Sequence, residues 1–158
     1  MNAITRCSLL AACGVLLAGA ALAAKPRPAP KPDPLAIERP WARATPPGAP
    51  VAGGFLDVRN VGATEDRLLS ATSPDADKVE LHEMRMDAGV MRMRRIDGGL
   101  AIAPGGTLTL APGGFHLMFI GPKHPFVAGE TVTATLRFER GGERTVRFEV
   151  RPMGAMQR

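Results

Sequence analysis

Five of the seven methionines that follow the initiator fall between residues 84 and 118, at Met84, Met86, Met91, Met93 and Met118. Two of the three histidines, His82 and His116, lie in the same stretch. A methionine ordinarily fills gaps in a core, and a single histidine on a strand is ordinarily solvated or hydrogen-bonded. The coincidence is what argues for chemistry. On a strand, residues two apart share a face. His116 and Met118 then point one way, and Phe115, Leu117 and Phe119 point the other. His82 shares a face with Glu80 and Met84, opposite Val79 and Leu81, and Met91 shares one with Met93. Two imidazoles and at least two thioethers therefore stand off the apolar side of three neighbouring runs. These donors are all neutral, and the thioethers are soft. Soft thioethers select Cu(I), whereas hard divalent ions gain little from them.

Other chemistries find little support. There is no G-x-S-x-G elbow, no H-E-x-x-H helix and no G-x-x-x-x-G-K-[ST] loop. Both cysteines, Cys7 and Cys13, lie within the first 24 residues, so the folded part offers no thiolate for a blue-copper electron-transfer centre. His124, in Gly121-Pro122-Lys123-His124-Pro125, reads as a solvated loop residue. Arg85, Arg92, Arg94 and Arg95 surround the methionines and read either as a solvated charged face or as a docking rim that draws in an acidic partner face.

The elements that must hold these residues are short strands. Gly and Pro number 18 and 15 of 158 residues, about 21% against roughly 12% in average usage. That many breakers exclude a helical bundle. Apolar runs separated by turn signals recur at Gly54–Asn60, Arg67–Ser73, Lys78–Met84, Val90–Ile96, Thr107–Leu110, Phe115–Ile120, Thr131–Glu139 and Arg144–Arg151. In the last two, Val132, Ala134, Leu136 and Phe138, then Val146, Phe148 and Val150, alternate with polar residues, and Gly141-Gly142 predicts a two-residue hairpin turn between them. Asp97-Gly98-Gly99 predicts another turn. The whole predicts an all-β Greek-key barrel or sandwich.

The N-terminus reads differently. Arg6 precedes an apolar run from Leu9 to Ala24 that ends in Ala21-Leu22-Ala23-Ala24, the pattern of a cleaved export signal over residues 1–24. The run is short for the roughly 20 residues a membrane span needs. Leu10-Ala11-Ala12-Cys13 has the form of a lipoprotein processing box, but it lies early and would leave an apolar run behind it. Residues 25–36 open with Lys-Pro-Arg-Pro-Ala-Pro-Lys-Pro-Asp-Pro, a polyproline-type spacer. The folded domain is expected over residues 37–151, with a short tail at 152–158 whose Met153 and Met156 are not expected to bind metal. Loss of Arg6 lowers the net charge from +5 to +4. Nucleic acid is a poor partner for an exported chain, so the basic balance points to an acidic protein face or an anionic membrane surface.

The pattern His82, ten residues, Met93, then His116-x-Met118 resembles the His-x10-Met-x21-His-x-Met signature of the periplasmic PCuAC copper chaperones. Trp41-Ala42-Arg43-Ala44-Thr45-Pro46-Pro47-Gly48, Lys78-Val79-Glu80-Leu81-His82-Glu83, Met91-Arg92-Met93-Arg94 and Pro112-Gly113-Gly114-Phe115-His116-Leu117-Met118 are similar to that family in type. The resemblance spans residues 37–150. It implies a cupredoxin-like barrel, no enzymatic activity, and one Cu(I) held by His82, Met93, His116 and Met118. It also implies delivery through the periplasm to the copper centre of cytochrome c oxidase or to another copper chaperone. The second spacer, residues 94–115, is one longer than the family pattern. An extra residue in the Asp97-Gly98-Gly99 turn changes nothing, but one inside a strand would reverse the side chains and set Met91 against Met93. Met84 and Met91 are candidate spare ligands. Two further readings stay open: a metal-free β-sandwich that binds a protein or glycan, and a zinc enzyme using His82, His116 and His124 with Glu80 or Glu83 as base.

Overall fold

The computed structural model describes residues 34–154. The expected export signal, nearly all of the proline spacer and the last four residues, Met156 among them, lie outside the described residues. Ten strands run in order: β1 Leu35–Arg43, β2 Val51–Asn60, β3 Asp66–Thr72, β4 Ala76–Asp87, β5 Val90–Arg95, β6 Leu100–Ile102, β7 Thr107–Leu110, β8 Phe115–Pro122, β9 Thr131–Phe138 and β10 Gly142–Arg151. No helix occurs among the described residues. The all-β class and all eight expected runs are present.

Seven strands close a barrel in the order β1, β2, β8, β4, β3, β9, β10, and back to β1. The ring closes between β3 and β4 through Ala71 and Val79, and β1 and β10 are its one parallel pair. Strand β5 extends the free edge of β4, β6 lies beside β3, and β7 beside β2. The alternation that predicted the strands also fills the barrel. Leu56, Val58, Leu68, Leu110, Leu117, Leu136 and Phe148 are fully or nearly fully buried. Phe119 meets Phe126 and Phe148 edge-on, with centroids 5.4 and 6.0 Å apart. Each such side chain contributes about 1.5–3 kcal/mol by leaving water.

A second apolar cluster lies on the outer face of the wall. Ala42 and Leu56 belong to the interior core, so their neighbours Trp41 and Phe55 face outward. The two rings pair across β1 and β2 with centroids 4.5 Å apart. They are buried nonetheless, with the guanidinium of Arg43 over Phe55 and that of Arg151 over Trp41. Gly53-Gly54 makes room for rings on both faces: a Cβ on Gly53 would lie 3.0 Å from the Phe55 ring, and one on Gly54 would lie 2.6 Å from Phe119.

Three local expectations are corrected. β1 begins at Leu35, two residues before the expected start of the domain, and β6 adds a three-residue strand. The β9–β10 hairpin turns through three residues, Glu139-Arg140-Gly141, since Phe138 pairs with Gly142, and of the two glycines only Gly142 has positive φ. The buried Asp66 carboxylate sets this shape by accepting hydrogen bonds from the amides of Arg140 and Gly141, at 3.0 and 2.8 Å. The β4–β5 hairpin supplies the two-residue turn instead. Ala88 and Gly89 both have positive φ, 48° and 80°, between the paired Asp87 and Val90, as a type I′ turn requires.

Candidate metal centre

His82 on β4 and His116 on β8 are direct cross-strand partners, with ring centroids 5.9 Å apart. Each ring is held by one nitrogen. The Nε2 of His82 lies 2.9 Å from the Glu80 carboxylate, and the Nδ1 of His116 lies 3.1 Å from the Gly114 carbonyl. Both partners can only accept, so both nitrogens carry the proton. The lone pairs are therefore left on Nδ1 of His82, which is buried without a hydrogen-bond partner, and on Nε2 of His116. An imidazole oriented from behind by a carboxylate or carbonyl is the usual arrangement of a metal-binding histidine.

Electrostatics and burial act differently on the Glu80 carboxylate and the His116 ring. Hydrogen bonds from Lys78 and His82, with the positive charges of Lys78 and Arg95 nearby, hold Glu80 down at about 2, so it is a carboxylate throughout the physiological range. Burial pushes His116 below the ordinary histidine value, more strongly than its bond to Gly114 raises it, and His82 adds a smaller push in the same direction. His116 is 6% exposed. It stands off the core, as the alternation predicted, but not in solvent: Phe55 lies 6.4 Å from it, centroid to centroid, on the outer face. Phe55 was not legible as part of the site. The Gly53-Gly54 pair before it was the available signal.

The methionines follow from register. Met118 pairs with Glu80 across β4–β8 and Met93 pairs with Met84 across β4–β5. Since Glu80, His82 and Met84 share a face, Met118, His116, Met84 and Met93 all stand on one side of the β5–β4–β8 sheet. The β4–β5 and β4–β8 ladders run without a register shift. The longer spacer is thus absorbed between Ile96 and Gly114, outside the strands that carry these residues. Met91 shares the face but pairs with Met86, one step further from His82. Met93 is 45% exposed, while Met118 is half-buried.

The arginine rim is corrected. Strand parity puts Arg85, Arg92 and Arg94 on the opposite face of the hairpin from the methionines, and each has an acidic neighbour. Arg94 lies 2.8 Å from Glu83, Arg92 3.1 Å from Asp87, and Arg85 4.0 Å from Glu83. Only Arg95 shares the methionine face, and it pairs with Glu80 and Asp97. An open notch of about 560 Å³ is lined by Arg85, Met86, Asp87, Arg92, Met93 and Arg94. Neither histidine lines it.

His124 is elsewhere. It is exposed, beside the Asp75 carboxylate at 3.4 Å and the Pro125 carbonyl at 3.2 Å. Those two acceptors raise its pKa, the carbonyl more than the carboxylate. No group of three His, Cys, Asp or Glu residues is gathered as a metal-binding set among the described residues. The three histidines of the zinc reading are not brought together.

The family model that matches residues 35–150 is described as LpqE-like, "Putative lipoprotein LpqE-like". The "Putative lipoprotein Lxx21020" of Leifsonia xyli subsp. xyli (strain CTCB07) is 36% identical over 115 residues, covering 73% of this chain and 68% of that protein. Among solved structures, the copper-bound PCuAC domain from PmoF2 is 29% identical with a TM-score of 0.64, over 75% of this chain and 93% of that one. The apo-DR1885 solution structure from Deinococcus radiodurans is 26% identical with a TM-score of 0.60, over 90% and 99%. The CuI-DR1885 structure from the same organism is 28% identical with a TM-score of 0.57, over 77% and 80%. Sequence match and barrel agree over almost the whole described domain: the chain belongs to the LpqE-like family and has the cupredoxin-like fold of the PCuAC copper-chaperone domains.

Proposed function

We propose that the chain is a non-enzymatic copper carrier of the periplasm. It binds one Cu(I) through His82, Met93, His116 and Met118 and delivers it to the copper centre of cytochrome c oxidase or to another copper chaperone. The observation that carries this reading is the histidine pair: two facing rings, each tied back through one nitrogen, with Nδ1 of His82 buried and without a hydrogen-bond partner. Copper-bound neighbours of the same fold support the choice of ion. Neutral thioethers bind Cu(I) without the negative charge that makes a thiolate site hard to empty, and they cannot be lost to disulfide formation.

The test is X-ray absorption on the Cu(I)-loaded protein, after metal analysis of material purified from the periplasm. Two nitrogen and two sulfur scatterers are expected, with copper retained over Zn²⁺ on dialysis against both. Equal retention of zinc overturns the ligand set, and protein that holds no metal favours the partner-binding module.

One observation favours a second reading of how the chain is held in its compartment. Both the family description and the relative's name say lipoprotein, and Leu10-Ala11-Ala12-Cys13 has the form of a lipid-processing box. The mass of the mature protein decides between cleavage near Ala24 and a lipid on Cys13.

A further inference from the structure

The β4–β5 hairpin continues past the histidine pair as a two-stranded ribbon, and every residue of β5 is exposed. Its faces are sharply divided. One carries Glu83, Arg85, Asp87, Arg92 and Arg94, tied by ion pairs across the strands. The other carries four thioethers in two direct cross-strand pairs, Met84 with Met93 and Met86 with Met91. Met86, Met91 and Met93 are 64%, 48% and 45% exposed. No core covers this face, so gap-filling does not account for four methionines on it. Partners directly opposite on a ladder have Cβ atoms about 4.5–5.5 Å apart, and diagonal neighbours about 7–8 Å, within reach of long side chains. Met86 and Met91 are a direct pair, Met84 is two residues along from Met86, and Met84 and Met91 are diagonal neighbours. Three flexible thioethers can thus close on one ion.

We infer that Met84, Met86 and Met91 form a second, weaker Cu(I) site on the hairpin, next to the first and nearer the turn at Ala88-Gly89. It takes a soft monovalent cation, since it offers only neutral sulfur. It supplies a place where copper rests between the histidine pair and an acceptor. The inference extends the reading above but stands on the hairpin alone.

The experiment is an anaerobic titration of the full-length protein with Ag(I), a redox-inert stand-in for Cu(I), followed by the ¹³C-methyl signals of all methionines. The first equivalent is expected to move Met93 and Met118, and the second to move Met84, Met86 and Met91. The variant M84L/M86L/M91L keeps side-chain volume and is expected to bind one equivalent in place of two. If the second equivalent moves only Met153 and Met156, or if those three methyls answer an acceptor protein and not Ag(I), the hairpin site is overturned. If instead the first equivalent leaves Met93 and Met118 unmoved while the hairpin methyls shift, the proposed function fails and the hairpin site stands.

Discussion

His82 and His116 face one another across β4 and β8 with opposite nitrogens tied down: Nε2 of His82 by the Glu80 carboxylate, Nδ1 of His116 by the Gly114 carbonyl. The strand register brings the rings together, and the two acceptors fix which lone pair each ring presents. Glu80 is therefore a positioning residue. Glu80→Gln is expected to weaken Cu(I) about 10-fold, at the low end of the 10–100-fold effects of outer-shell changes. It should also let His82 sample both tautomers, read from its ¹⁵N signals. Unchanged affinity with an unchanged tautomer would show that the carboxylate only solvates the face.

His116→Ala and Met118→Ala are each expected to remove most Cu(I) affinity in competition with a Cu(I) chelator. Their structural costs differ. His116 is buried against Phe55, so its truncation should cost about 1–3 kcal/mol of stability. Met118 is half-buried and should cost less. Parent-like binding by both variants would put the ion elsewhere.

Ala88 occupies a turn position with φ of 48°, where a residue with a Cβ carries about 1–2 kcal/mol of strain. Glycine relieves this but loses about 0.5–1 kcal/mol to its freer unfolded chain. Ala88→Gly is therefore expected to steady the hairpin by up to about 1 kcal/mol, read as slower amide exchange in β4 and β5. Faster exchange would count against a type I′ turn.

His124 gives a pH signature away from the candidate centre. The Pro125 carbonyl and the Asp75 carboxylate raise its pKa above the usual 6.5, so its contribution to stability is complete below 6.5 and fades as pH rises through the raised value. Its ring signals should titrate above 6.5 and return toward that value in Asp75→Asn. His124→Gln should flatten any loss of thermal stability between pH 6 and 8. A ring that titrates at 6.5 in the parent would remove the basis for both effects.

Strand content and the off-core placement of His82, His116 and Met118 were legible because period-two alternation is a local signal. β1 was not, because Glu38, Arg39 and Pro40 interrupt it: Arg39 has φ of 50°, and the pairing with β2 shifts register between Glu38 and Trp41. The shape of the Gly141-Gly142 turn was not legible because it depends on Asp66, more than seventy residues away in sequence. The burial of His116 likewise comes from Phe55 on another strand. The arginine rim is a different case. The parity that sets Arg92 and Arg94 against Met91 and Met93 is present in the sequence, and proximity along the chain does not override it.

The exposure of Met86, Met91 and Met93 has a chemical side beyond copper. An exposed thioether is open to oxidants, and methionine sulfoxide puts a polar oxygen where soft sulfur stood. The folded part has no cysteine to record oxidative stress, so these side chains are where it would register. If the hairpin binds a soft ion as proposed, oxidation at these positions would remove that preference while the barrel behind it stayed intact, and enzymatic reduction of the sulfoxides would restore it. On the proposed function, the same exposure that would let a partner reach a bound ion would make the capacity to carry it depend on repair.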